Sequence, residues 1–493
     1  AMGKKGGKKG KKGPVCPPGM SPELFALTQD IPMLVGFLRG NKDCKPAVPI
    51  ERAQAFTWLW SHALVKAAKR KEIAELGCVT TASYACTATS NLVESAPAAG
   101  LLHALSTEEE LREQVAAAKA IPNVLSLLGR ESSTAETEAV GCLRQLCETV
   151  DTRKKVVKEL PEWGPVLKVM EKGPTAKSRD EAAQVVALVA KHGASEGPVP
   201  DMSSALMMRD QFAAMGVLEV CLAHLSDESS SPVMVQACAQ TVDCLISQPQ
   251  VKDRAAELDL VPKLVAVLNM DAARASLQTR ASATGALYQL CTGPGDLSGD
   301  AFGAGGHVLT QLQGNLRPQT APVMLGPASK EPPPEMLTPT MRNMTKVVNS
   351  GGVDLLVGLC SGPAAADDGK KKKKKKKKEP PLAPEMVQAQ SNAAGCLRRL
   401  TVQQPWARQI AASNGAARLA PLTTTKNEQT RWHAQAAMWN ISGDVGNLPQ
   451  LVEAKAPKHY TSTLPTRCFH MPGTKEFNSY QPMNELSGGS FRP

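Results

Sequence analysis

The amino-acid sequence predicts an all-α solenoid assembled from repeated helical units. Three observations predict it. Apolar residues make up 42% of the 493-residue chain while aromatics make up only 4%, so Ala, Leu and Val supply most of the apolar side chains. Those residues favour closely packed helices over sandwiches and barrels, which draw on β-branched and aromatic residues. Two apolar half-motifs recur in fixed order, and their spacing is regular. Ordinary domain arithmetic would divide this length into roughly three domains of about 150 residues. Stacked repeats escape it, because each buries its apolar face on its neighbours and the core grows with the stack.

The first half-motif is a turn followed by an apolar helix. It reads Ile31-Pro32-Met33-Leu34-Val35, Ile121-Pro122-Asn123-Val124-Leu125 and Gly164-Pro165-Val166-Leu167. Later copies are Gly216-Val217-Leu218, Val261-Pro262-Lys263-Leu264, Gly352-Val353-Asp354-Leu355 and Gly415-Ala416-Ala417. Proline at the start of a helix loses no hydrogen bond, and glycine permits a sharp turn between short helices. The second half-motif follows about two dozen residues later: Gly141-Cys142-Leu143-Arg144, Gly285-Ala286-Leu287-Tyr288, Gly395-Cys396-Leu397-Arg398 and Ala436-Ala437-Met438-Trp439. Residues at i, i+4 and i+7 share one helix face there, with a small residue where backbones are expected to approach.

The spacings fix the period. Pro122 to Pro165 is 43 residues, Val217 to Pro262 is 45 and Gly395 to Ala436 is 41. Pro32 to Pro122 is 90, two periods, with the intervening copy weakly marked near Glu75-Leu76-Gly77-Cys78. Gly395 to Leu400 and Ala437 to Ser442 resemble the third helix of armadillo repeats, and Val261 to Leu268 looks like their second. The period is also that of armadillo and HEAT units. The resemblance covers residues 21–455 and implies a right-handed superhelical solenoid of about eight repeats. It implies a groove lined by third helices, and says little of the partner.

Import adaptors of that family carry a Trp and, four residues on, an Asn in each third helix. Here the first place holds Gly141, Gly285, Gly395 and Ala436, and the second holds Gln145, Gln289, Arg399 and Asn440. The ladder is missing, which disfavours a receptor for nuclear-localisation signals. The remaining groove candidates for partner contact are Arg144, Gln145, Arg398, Arg399, Trp439 and Asn440.

The repeats are interrupted. Residues 1–20 form a basic Gly/Lys-rich tail, 21–292 hold repeats, and 293–340 are a Gly/Pro-rich insert. Residues 341–455 resume the repeats around a poly-Lys loop at 361–384, and 456–493 read as an extended C-terminal tail. That tail carries Phe469, Phe477, Tyr480 and Phe491 as candidate anchors on a partner or on the solenoid itself.

Charge follows the same division. Lys4, Lys5, Lys8, Lys9, Lys11 and Lys12 form one run, and the nine lysines from Lys370 through Lys374 to Lys378 form another. Together they carry fifteen positive charges against a net of +11, leaving the rest of the chain net negative by four. Such runs attract polyanions in a salt-sensitive, weakly specific way. Acidic tubulin tails, RNA and anionic membranes are candidates. The lysines are not interleaved with aromatics or Arg, and the body is acidic, so nucleic acid is disfavoured.

Catalytic signatures are missing. The sequence shows no P-loop, GxSxG elbow, HExxH or paired Cys/His zinc spacing, so no enzyme activity, cofactor or metal is expected. The glycine-rich stretch around Gly303 lacks a strand, and Trp432-His433 reads as part of a structural helix. Thirteen scattered cysteines read as small buried hydrophobes in a reducing compartment. No stretch of about 20 apolar residues offers a membrane span. The resemblance extends to axonemal armadillo scaffolds. Combined with the lysine runs, it implies a non-catalytic component of a large cytoskeletal assembly, a ciliary or flagellar axoneme first, in the cytoplasm. A soluble adaptor that binds a peptide or helix in its groove is the alternative.

Overall fold

A computed structural model describes residues 30–40, 48–87, 89–160, 162–191, 202–292, 339–361 and 382–461. The lysine runs and the tail anchors Phe469, Phe477, Tyr480 and Phe491 lie outside these residues. The chain divides into two compact units, Ala1–Val185 and Val186–Pro493. Among the described residues the structure is helical throughout, and the chain is an all-α solenoid of armadillo-like three-helix repeats.

In the first unit, repeat 1 contributes α1 (Ile31–Arg39) and α2 (Pro49–Val65). Repeat 2 is α3 (Ala67–Glu75), α4 (Cys78–Ala85) and α5 (Leu92–Ser106). Repeat 3 is α6 (Glu109–Ala117), α7 (Ala120–Leu125) and α8 (Ser133–Glu148). Repeat 4 is α9 (Val150–Glu159), α10 (Gly164–Lys172) and α11 (Ala176–Lys191), and the unit boundary falls within α11.

The second unit continues the series. Repeat 5 is α12 (Met202–Ala214), α13 (Val217–Ser226) and α14 (Pro232–Leu245). Repeat 6 is α15 (Pro249–Glu257), α16 (Leu260–Asn269) and α17 (Leu277–Leu290). Repeat 7 is α18 (Pro339–Asn349), α19 (Gly352–Leu359) and α20 (Pro384–Leu400). Repeat 8 is α21 (Gln404–Ala412), α22 (Gly415–Leu419) running into a 3₁₀ turn, and α23 (Glu428–Ser442). Short α24 (Leu448–Glu453) and α25 (Lys458–Thr461) close this end, with Tyr460 buried.

Local chemistry explains the unit. First and second helices are joined through one left-handed residue in six of the repeats: Gly77, Lys119, Gly216, Asp259, Gly351 and Asn414. The prolines read as helix starts sit in the first turn; Pro122 and Pro262 are third residues rather than first, because Lys119 and Asp259 form the caps. None of the first four N–H groups has an intrahelical partner, so the consequence is the same. Third helices start at Asn91, Ser132, Ser231, Ser276 and Asn427, each accepting a first-turn backbone N–H. Such caps are worth about 1 kcal/mol each. In α20 the cap position is Ala383, with no side-chain bond.

The sequence period reappears as bonds between neighbouring repeats. Asn123 donates to the Ser83 carbonyl at 3.0 Å, Ser126 to Cys86 at 3.0 Å and Ser276 to the Gln236 side chain at 2.9 Å, all 40 residues apart. Beyond the first insert, Asn343 donates to the Leu290 carbonyl across 53 residues. Asn392 reaches the Ala281 carbonyl across 111, so third helices of repeats 6 and 7 pack as neighbours despite both inserts. Aliphatic side chains such as Leu101, Leu102 and Leu105 are fully buried, each contributing about 1.5–3 kcal/mol. Nine of the ten described cysteines are buried, and burial pushes thiols such as Cys142 and Cys291 up to about 12.

Candidate functional site

The third helices repeat one local arrangement. In six of the eight third helices the ninth residue after the cap is Thr57, Gly100, Gly141, Gln240, Gly285 or Ala436; Gly395 takes that place in α20 and Gln184 in α11. Three residues further stand Trp60, His103, Arg144, Asp243, Tyr288, Arg398 and Trp439, with Ala187 in α11. The glycines are explained by these side chains. A Cβ at Gly100 would lie 2.5 Å from the Trp60 ring, and one at Gly141 would lie 2.5 Å from the His103 ring. A Cβ at Gly285 would lie 2.5 Å from Asp243, and one at Gly395 would lie 2.7 Å from the Tyr288 ring. The small residue makes room for the preceding helix's side chain. This corrects the expectation of close backbone approach.

In the first unit this ladder is internally neutralised. Glu138 sits 2.7 Å from His103 Nδ1 and accepts from Lys177 Nζ at 3.2 Å. Burial works to raise its carboxyl, but His103 and Lys177 more than offset that and hold it below the usual range. Arg144 ion-pairs with Glu148 and Glu181, both at 2.6 Å. Gln145 beside it is buried.

In the second unit the chemistry differs. Gln289 donates to the Asp243 carboxylate at 2.9 Å and to its carbonyl at 3.0 Å. Burial pushes Asp243 up to about 7, against the Gln289 bond and the charge of Arg209. Tyr288 meets His433 edge-on, with centroids 5.2 Å apart, so α17 and α23 touch over Gly395 of the intervening helix. Arg398 is buried and stacks 4.1 Å above the Trp432 ring, which itself lies 5.1 Å from His433. Asn440 donates to the Arg398 carbonyl at 3.4 Å and to the Thr401 hydroxyl at 3.2 Å. Arg399, Trp439, Trp432 and Tyr288 remain partly exposed.

No family model matches the sequence, and no curated protein matches it. A solved engineered protein matches over 89% of this chain and 96% of its own, with a TM-score of 0.53 and 19% identity. A computationally designed armadillo-repeat protein for modular peptide recognition matches over 53% of this chain and 99% of its own. Its TM-score is 0.43 and its identity 15%. A designed armadillo-repeat protein in complex with the peptide (KR)4 matches over the same shares, with a TM-score of 0.40 and 16% identity. The first likeness agrees with the fold built above.

Of the sequence candidates, Arg398, Arg399, Trp439 and Asn440 fall in the second unit, and Asn440 bonds to the Arg398 backbone. Arg144 and Gln145 stand at corresponding places in the first unit. Trp60, His103, Asp243 and Tyr288 are not among the sequence candidates, and of these only Tyr288 stands three residues after a small position read from the sequence, Gly285. Trp432 and His433, read from the sequence as part of a structural helix, lie within the aromatic cluster, with His433 buried. Among the described residues no group of three or more His, Cys, Asp or Glu is placed to hold a metal, and no helix is long and apolar enough to cross a membrane. The arrangement offers partly buried aromatics, arginines and amides in series, which suits recognition of a chain laid along them.

Proposed function

We propose that this protein is a non-catalytic protein-binding scaffold whose partners lie along the third helices. The supporting observation is a recurring place on the third helices, held by Trp60, His103 and Arg144 in the first unit and by Asp243, Tyr288, Arg398 and Trp439 in the second, with Ala187 in that place in α11. Arg and aromatic side chains are favoured binding anchors because they give large contact area and directional bonds. Gln289 and Asn440 each use their amide on the preceding third helix. That stiffens the series and lowers the ordering cost of binding.

The finer reading is a structural component of a microtubule-based assembly, a ciliary or flagellar axoneme first. The lysine runs at 4–12 and 370–378 suit acidic tubulin tails, and the aromatic residues of the tail suit a second anchorage. Co-sedimentation with microtubules at rising salt, for the full chain and for chains lacking either or both runs, tests it. Binding should weaken steeply with salt and fall in the double deletion. Undiminished binding by the double deletion at low salt would remove the lysine role. A soluble adaptor is the second reading, favoured by the third-helix series itself. An adaptor keeps its partner in pull-down by the repeats without tails, whereas a lattice component loses it.

A further inference from the structure

At the start of the first unit one helix face is apolar and exposed. On α2, Ile50, Thr57, Ser61 and Leu64 stand at i, i+7, i+11 and i+14, which places them on one side of the helix, with Val65 at its edge. Ile50, Leu64 and Val65 are 60%, 63% and 73% exposed. Among the described third helices α2 alone leaves large apolar side chains exposed at both ends; Val93 of α5 and Val233 of α14 each sit in a first turn. Between Val48 and Val65 no exposed position carries a charge. The two hydroxyls in the middle are satisfied within the helix, Thr57 donating to the Ala53 carbonyl at 2.8 Å and Ser61 to the Thr57 carbonyl at 3.0 Å. The face thus presents apolar side chains around a shallow centre, whereas a repeat that ends a stack in water needs a polar outer face.

From this we infer that the protein self-associates through this face, α2 of one copy packing antiparallel on α2 of a second copy across a two-fold axis. Third helices lie beside other third helices, as α2 does beside α5 and α5 beside α8, so another third helix is what the face fits. The chain's own sequence does not provide one. Thr57 to Gly100 is 43 residues and Gly100 to Gly141 is 41, so a preceding third helix would fall on residues 7–23. Those positions hold four glycines and four prolines, which oppose a helix of that length. In the second unit, by contrast, α25 follows α23 and packs on it, with Tyr460 buried. A second copy supplies the matching helix, and the stripe is self-complementary. With the axis near Thr57, Ile50 of each copy lies against Leu64 of the other, and the small Thr57 and Ser61 side chains let the helices approach. A face one helix long, about 26 Å, keeps the interface below about 1,200 Å². The dimer is therefore a weak one, with a Kd of about 1–100 µM. Self-association of this kind does not depend on what the groove binds.

Sedimentation velocity of the full chain at rising concentration and physiological ionic strength, where the lysine runs of two copies are largely screened from each other, tests this. A monomer–dimer equilibrium is expected. Ile50→Lys and Leu64→Glu, both at exposed positions, should each weaken it about tenfold or more and leave circular dichroism and melting unchanged. The antiparallel pairing makes a sharper demand. In the double variant Ile50→Lys/Leu64→Glu each new lysine faces a new glutamate across the axis, so dimerisation should return towards that of the unaltered chain. Within one copy these two positions stand about 21 Å apart along the helix, too far to pair, so recovery arises only between copies. Val452→Lys, at an exposed apolar position on α24, should leave the equilibrium unchanged. A chain that stays monomeric to about 0.5 mM, association indifferent to Leu64→Glu, or a double variant no tighter than either single one overturns the inference. In a monomeric chain, hydrogen exchange of α2 raised by Phe25→Glu would assign the face to the chain's own preceding segment instead.

Discussion

Gly395→Ala tests whether glycine sits on the third helices to make room for a neighbouring side chain. In an unobstructed helix this exchange stabilises by about 0.5–1 kcal/mol, because Ala loses less backbone entropy on folding. At Gly395 the new methyl would stand 2.7 Å and 2.8 Å from two Tyr288 ring carbons and 3.3 Å from His433 Nε2. Forcing a methyl into occupied space costs about 1–3 kcal/mol. If the Tyr288 ring swings away instead, it gives up the edge contact with His433, worth about 0.5–1.5 kcal/mol. Either route cancels or exceeds the propensity gain, so the variant should range from neutral to about 2 kcal/mol less stable. Gly358→Ala, with no atom within 4 Å of the added carbon, should instead gain the full helix propensity. Urea unfolding gives the overall change, and hydrogen exchange of α20 amides reports the local one. In a Tyr288→Ala background Gly395→Ala should become stabilising. Stabilisation by Gly395→Ala in the unaltered chain, equal to that of Gly358→Ala, would refute the packing argument.

Lys119→Gly should stabilise by about 0.5–1 kcal/mol in thermal melts, since Lys119 has φ 56° and glycine adopts that region freely. Gly351→Ala, at φ 73°, should destabilise by about 1 kcal/mol despite the open space around it. Asp243 is raised in the folded state, so its contribution is full below about pH 4 and is lost as pH rises through about 7. Asp243 keeps some contact with water, which limits the loss to about 1–2 kcal/mol, and Asp243→Asn should flatten that part of the stability profile. Glu138 has the opposite sign: lowered in the folded state, it stabilises above about pH 4.3 and loses this as pH falls through its native value. Urea midpoints of Glu138→Gln and the unaltered chain should therefore converge in acid.

Much of the fold was legible because it rests on local signals. Proline, glycine and apolar runs at intervals of 41 to 45 residues marked the second and third helices, and the spacings read near 40 reappear as bonds between Asn123 and Ser83 or Ser276 and Gln236. The second repeat was faint because α4 opens on Gly77 with no proline, and α5 carries Pro97 within it. Lys119 and Asp259 hid their left-handed turns, since neither residue type announces a positive φ as glycine does. The candidate site was half legible. Arg398 and Trp439 are legible from their places in the third-helix half-motif, but Tyr288 and His433 meet only because Gly395 leaves a gap between helices that are not adjacent in the stack. No single-helix periodicity encodes a contact between repeats 6 and 8.

That contact bears on how the second unit responds to binding. Most bonds in a solenoid join nearest neighbours, so local stability is close to a sum over adjacent pairs. The Tyr288–His433 contact adds a next-nearest link, and Gly395 allows it. Arg398 and Asn440 then tie the intervening helix to α23 through Trp432 and the Arg398 carbonyl. Three third helices are thus joined into one body where the arginines and tryptophans gather. A partner laid across them meets side chains already ordered by packing, and less of its binding free energy is spent on ordering the surface. The same linkage predicts that Tyr288→Ala raises hydrogen exchange in α23, two repeats away, as well as in α17. Protection unchanged in α23 would mean that the link carries no energy and that each repeat in this unit responds alone.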